Sequence, residues 1–228
     1  MDYEILSLIT SANTYKNILK YCIGPLSGAF TGSYLAYRLA IRRENKKQEA
    51  ERINAAQEAL FILTYQVNTI AVFKKQILSK HYDSPFRHFE IPTIEMQDHK
   101  NLNVNFSSIS FILSSKYKEM LGRIMVSNDY FHSLIGAIHK RNGTHSEYQQ
   151  IISISGVKHG STLTNEEAIK IAGSRLPNEL KSITDAIYEM TDSHITSTTK
   201  LVDEFATILE KIYPNSKFIR FVVDPLYL

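Results

Sequence analysis

Tryptophan is absent from these 228 residues, and there are one cysteine, nine glycines and six prolines. The lone thiol, Cys22, excludes an internal disulfide framework and a thiolate metal cluster, and it suits a reducing compartment. Scarce glycine and proline leave long runs free to stay helical. Past Gly32 neither occurs until Pro85, which leaves room for about 75 Å of helix. Charge surplus is small as well: 26 Lys and Arg against 23 Asp and Glu give a formal net charge of +3. Much of that surplus falls in one cluster, which anionic lipid explains without nucleic acid. Catalytic motifs are missing too. There is no GxSxG elbow, no phosphate-cradling glycine loop and no pair of carboxylates on an evident shared face. We assign no catalytic and no cofactor-binding residue, and we expect no enzyme. His81, Asp83, His88, Glu90, Glu95, Asp98 and His99 concentrate metal-ligand types in one irregular stretch, but none stands at a helical ligand spacing such as HExxH. They read as solvated loop residues, and no metal is expected.

What is present begins with the stretch from Ile18 to Ile41. Seventeen uncharged residues separate Lys20 from Arg38, about 26 Å of helix against a hydrocarbon core of about 30 Å. Apolar flanks lengthen the segment, and the two basic residues can snorkel toward head groups. Gly24, Gly28, Gly32 and Ala36 recur every fourth residue, so one helix face carries almost no side-chain volume. Close backbone approach is what drives helix association in lipid. We therefore expect a single transmembrane helix over residues 18–41 that self-associates into a homo-oligomer. Arg38, Arg42, Arg43, Lys46 and Lys47 after the span, against Lys16 and Lys20 before it, place the carboxyl-terminal side in the cytoplasm. The competing reading is a core helix of a soluble domain, because Ser27, Thr31, Ser33, Tyr34 and Tyr37 dilute the apolarity. A cleaved signal peptide fits poorly, since arginines follow where a small-residue cleavage site belongs. Residues 1–17 form a tail in which Tyr3, Leu6 and Ile9 permit a short amphipathic turn.

Beyond the span, residues 42–213 are expected to make an all-α bundle of three or four long helices. Ile53, Leu60 and Val67, with Ala56, Leu63, Ile70 and Ile77, repeat as an a/d seam. Ala59, Phe61, Ile62 and Phe73 widen it, which favours a bundle over an isolated coiled coil. A second membrane pass over residues 59–73 is disfavoured by its length and by Gln66 and Asn68. Residues 81–105 read as a loop. A second helical block runs from Ser107 to Arg141 on a stripe that includes Ile109, Ile112, Leu113, Ile124 and Leu134, and Asn142–Gly143 stop it. His139, Lys140 and Arg141 in its last turn complement the helix dipole. The segment before Gly156 is either a brief helix or a β segment. Thr164 and Glu167 have capping-box spacing, and Gly173 ends that short helix.

The last long helix should begin at Pro177 and end at Ile212, ahead of Pro214. Its heptad puts His194 on the buried side with Thr191 and Thr198, and Gln66 and Asn68 are the candidate partners of this polar layer. The layer serves chiefly to fix register; a proton-sensing or ligand-contacting histidine is the sharper alternative. Residues 214–228 form an apolar arm or strand that fits a partner edge or groove, or folds back on its own bundle.

An anchor reading GPLSGAFTGSYLAYRLAIRR, joined to a helical cytosolic body without catalytic motifs, resembles the small membrane effectors of bacterial phage-defence systems, including some retron accessory proteins. The likeness is architectural and covers the anchor and the first helix best. It implies an effector held back by a cognate protein or ribonucleoprotein complex and released on infection, with the bundle as sensor and the span as the injuring part. It carries over no functional residue. A passive tether or scaffold is the runner-up, followed by a soluble partner-binding or nucleic-acid-associated protein.

Overall fold

The computed structural model of the chain describes residues 16, 24–94, 102–157 and 163–220. The amphipathic turn of the tail, Lys20, Cys22, Glu95, Asp98, His99 and the end of the arm, 221–228, lie outside the described residues. Within them the chain is all-α, with no strand. The helices are α1 (Gly24–Gln76), α2 (Arg87–Glu90), α3 (Lys118–Ile154), α4 (Asn165–Ala172) and α5 (Arg175–Ile212), with 3₁₀ turns at Leu78–His81 and Ser110–Ser114.

The chain divides into two compact units, residues 1–51 and 52–228. The charged run from Arg42 to Glu51 belongs to the first unit. In the first unit every residue from 26 to 51 is exposed, and side-chain hydrogen bonds run along the helix. Thr31 Oγ1 donates to the Ser27 carbonyl at 2.7 Å, and Gln48 Nε2 to Glu44 Oε1 at 3.0 Å. No helix among the described residues is long and apolar enough to cross a membrane. Of the transmembrane helix expected over residues 18–41, residues 18–23 lie outside the described residues, and the described part, 24–41, lacks that support, because Ser27, Thr31, Ser33, Tyr34, Tyr37 and Arg38 hold down its apolarity.

The second unit is the helical bundle. Its α1 portion presents the expected seam, with Ala56, Leu60, Leu63, Val67 and Ile70 each no more than 1% exposed. One apolar cluster joins Leu60 and Leu63 to Ile112 and Ile124 and to Phe205 and Leu209 of α5. A second joins Ile70 and Phe73 to Phe131 and Leu134 of α3 and to Ile187 and Ile195 of α5. Burial of such side chains contributes about 1.5–3 kcal/mol each.

Besides the start of α5, which lies at Arg175 and not at Pro177, three boundaries differ from the sequence reading. First, α1 ends at Gln76, where Leu78 turns into the core and its carbonyl accepts from Tyr188 Oη at 2.8 Å. Second, Ser107–Ser115 make turns and a short 3₁₀ segment that buries Ile109 and Ile112 and leaves Leu113 exposed, so α3 starts only at Lys118. Third, α3 passes through Asn142 and Gly143 to Ile154. Asn142 is held in the helix by its side chain, which accepts from the Ile94 amide at 3.1 Å and donates to the Ile94 carbonyl at 2.7 Å. Where α3 does end, Gly156 takes φ +80°, the left-handed conformation that glycine adopts without a Cβ penalty. Phe61 of the widened stripe is exposed and lies 6.3 Å from the Tyr65 ring on the outer side of α1.

The capping box is complete. Glu167 N donates to Thr164 Oγ1 at 3.3 Å, and Thr164 N to Glu167 Oε2 at 2.8 Å; that second bond, with one from Thr164 Oγ1 to the same carboxylate oxygen at 3.0 Å, holds the pKa of the Glu167 carboxyl below its ordinary value. Gly173 follows at φ +71°. Helix α5 begins at Arg175, with Pro177 in its first turn. After Ile212 the arm folds back far enough to bury Phe218 beside Tyr213.

Candidate functional site

Three places concentrate the chemistry. The first is the exposed stretch of α1. Gly28 and Gly32 have nothing within 4 Å of a Cβ placed on them, and Ala36 is exposed; Gly24 belongs to the same small-residue face by its spacing. Large apolar side chains stand in the same stretch, with Leu26 71%, Phe30 77% and Leu35 55% exposed. Arg38 Nε donates to Tyr34 Oη at 3.1 Å, and its guanidinium carbon sits 5.6 Å from the Tyr34 ring centre. Arg42, Arg43, Lys46 and Lys47 continue the exposed basic run; Lys47 makes a 3.9 Å pair with Glu51.

The second is a polar layer in the middle of the bundle. Gln66 falls between Leu63 and Val67 in α1, Asn128 between Ile124 and Phe131 in α3, and Thr198 between Ile195 and Leu201 in α5. Each of the three thus separates the two apolar clusters along its helix. Gln66 Nε2 donates to Asn128 Oδ1 at 3.0 Å and to the Leu102 carbonyl at 2.8 Å. Asn128 Oδ1 also accepts from the Val104 amide at 3.3 Å, so these two amides pin the chain entering α3. Asn68, proposed as a member, is exposed. One helical step of 100° from Val67 turns it outward.

Thr191, His194 and Thr198 are fully buried. The Ser127 and Thr198 hydroxyls are 2.8 Å apart, and Thr198 Oγ1 lies 3.2 Å from His194 Nδ1, a relay from the bundle surface to an enclosed imidazole. Tyr130 stacks on that imidazole at 6.0 Å and 11°. Among the described residues, His194 Nε2, Thr191 Oγ1 and Gln66 Oε1 have no hydrogen-bond partner. Burial drives the His194 pKa down to about 4, so the ring is neutral near pH 7. Ser127 and Tyr130 line a groove of about 570 Å³ between α3 and α5, with Gly122, Val126, Ser197 and Leu201 among its walls.

The third place was missed in the sequence. Arg141, 1% exposed, donates through Nε to Thr184 Oγ1 at 3.3 Å and through Nη1 to the Pro92 carbonyl at 3.1 Å. Its Nη2 donates to the His88 carbonyl at 3.1 Å and the Ile91 carbonyl at 2.5 Å. Burial lowers its pKa to about 10, which leaves it charged. One turn on, His145 Nε2 sits 3.2 Å from the Phe89 carbonyl. Desolvation lowers the pKa values of His145 and His88, with the positive charge of Arg141 adding to both. Arg141, Asn142 and His145 therefore clamp residues 88–94 onto α3. Their positions continue the stripe of Phe131, Leu134 and Ile138, and that period is the signal that identifies them. His88, placed among solvated loop residues, is 4% exposed because this clamp draws it inward.

Among the described residues no group of three or more His, Cys, Asp or Glu side chains is placed to hold a metal ion. No family model, characterised protein or solved structure matches the chain.

Proposed function

We propose that the protein is a membrane-anchored, non-enzymatic effector in which residues 18–41 anchor and assemble, while the helical bundle binds a regulatory partner. The observation that carries this reading is the exposed, apolar and small-residue stretch of α1, in a chain whose helical bundle buries its own seam. Such a helix needs lipid or a neighbour to cover it. Its modest apolarity favours both together: a face of glycine and hydroxyl-bearing residues is better buried against another copy than turned to acyl chains. The Thr31 hydroxyl is already satisfied on its own helix, which lowers the cost of leaving water.

The test is fractionation of the full chain and of a form lacking residues 18–41, with growth and membrane potential followed in the same cultures. The expected result is a full chain that pellets with membranes and depolarises cells, and a deletion form that is soluble and harmless. A soluble full chain overturns the anchor. Replacing both Gly28 and Gly32 with Leu places side chains in open space within one chain, so the bundle stays folded and assembly alone is challenged. Loss of assembly and toxicity with insertion retained is expected. A second reading, a soluble helical partner-binding protein, is favoured by one fact, that no described helix is apolar enough to span a bilayer. The same fractionation separates the two.

A further inference from the structure

We propose that residues 221–228 of the same chain, FVVDPLYL, dock along the groove between α3 and α5. The groove has two hollows, of about 570 Å³ and 420 Å³, that share Arg123 on their walls. Apolar surface runs through both, from Met120 and Ile208 in the smaller to Val126 and Leu201 in the larger. Val126 is 68% exposed there.

The chain delivers its own arm to this groove. Phe218 is buried beside Tyr213, which directs the arm back along α5. Arg220, the last described residue, then bonds Glu210 through Nε at 3.3 Å and Nη2 at 2.5 Å, and Thr207 Oγ1 at 3.4 Å. Thr207 is itself a wall of the smaller hollow. From Thr207 to Ser193, at the far end of the larger hollow, α5 covers about 21 Å. Residues 221–228 extended reach about 26 Å, enough to run the length of both. The segment carries one charged side chain, Asp224, among Phe, Val, Leu and Tyr. Pro225 biases the residue before it toward extended backbone, and the hydroxyls of Ser127, Ser193 and Ser197 on the wall offer partners for its amides.

The experiment uses the full chain, without detergent, in membranes or buffer according to where it partitions. With Cys22→Ser as background, Val126→Cys reports the larger hollow and Ile154→Cys, at the end of α3, reports a remote exposed site. A groove filled about 90% of the time slows maleimide labelling of Val126→Cys about tenfold relative to the chain lacking residues 221–228. Labelling of Ile154→Cys stays unchanged, and adding the peptide FVVDPLYL to the truncated chain restores slow labelling. Equal rates with and without the segment overturn the proposal. So does protection that fades on dilution, which assigns the groove to a second copy. Gly122→Phe is the converse probe. A Cβ at Gly122 meets nothing within 4 Å, so the fold tolerates the ring while the groove does not. Tryptic release of residues 221–228 at Arg220, followed by mass spectrometry, is expected to quicken by a similar factor. An unchanged rate overturns the docking.

Discussion

Arg141 and His194 are both polar side chains closed off from water in one bundle, and they are treated in opposite ways. The Arg141 guanidinium meets three carbonyls and a hydroxyl. Among the described residues the His194 ring has one partner on Nδ1 and none on Nε2, and the Thr191 hydroxyl has none either. Burial alone therefore does not say what a polar group does. A saturated cation fastens a loop to a helix, whereas an under-satisfied neutral ring stores a penalty that grows if the ring is protonated.

The largest expected effect lies on the saturated side. Arg141→Ala leaves the His88, Ile91 and Pro92 carbonyls without their donor and opens a cavity, so it should cost about 3–5 kcal/mol in chemical denaturation. Arg141→Lys should recover little, because one ammonium lacks the planar fork that reaches all four acceptors. A loss within about 1 kcal/mol for either variant would break the contrast, since it would make the clamp ornamental.

Acid should act on the other side. The pKa of His194 drops from 6.5 in the unfolded chain to about 4 in the folded one, so between these values the unfolded state binds more protons. Stability is then full above pH 6.5 and falls as the pH is lowered toward 4, by about 3 kcal/mol for this group. His88 and His145 are shifted in the same direction and steepen the same limb. His194→Leu should flatten that limb measurably without abolishing it. An unchanged pH profile in His194→Leu would show that the enclosed ring is not what acid attacks.

Much of this fold was legible because its signals are local or periodic. The α1 seam, the Thr164–Glu167 box and the end of α5 before Pro214 all follow from spacing within one element. The clamp was hidden because Arg141, Asn142 and His145 occupy core positions with residue types that read as a helix end, and their partners lie about fifty residues away along the chain. The late start of α3 was hidden for a related reason. Ile109 and Ile112 have helical spacing and are buried, but a 3₁₀ turn satisfies the same i, i+3 pattern. In the polar layer, the heptad places Thr191, His194 and Thr198, but not which amide of α1 faces inward.

Two neighbouring amides of α1 turn that last point into the smallest tests. Gln66→Ala removes the donor shared by Asn128 and the Leu102 carbonyl and leaves space in a layer that is fully enclosed. The expected loss is about 2 kcal/mol, below that of Arg141→Ala because Asn128 keeps its bond from the Val104 amide. Asn68→Ala should change stability by no more than about 0.5 kcal/mol, and in the stabilising direction. Asn68 is exposed, so nothing buried is left unpaired, and alanine is the better helix former. If Asn68→Ala instead weakened assembly of the full chain while leaving denaturation unchanged, the outer face of α1 with Phe61 and Tyr65 would be a contact between copies. The comparison would then extend from how polar groups are buried within one chain to how they are buried between two.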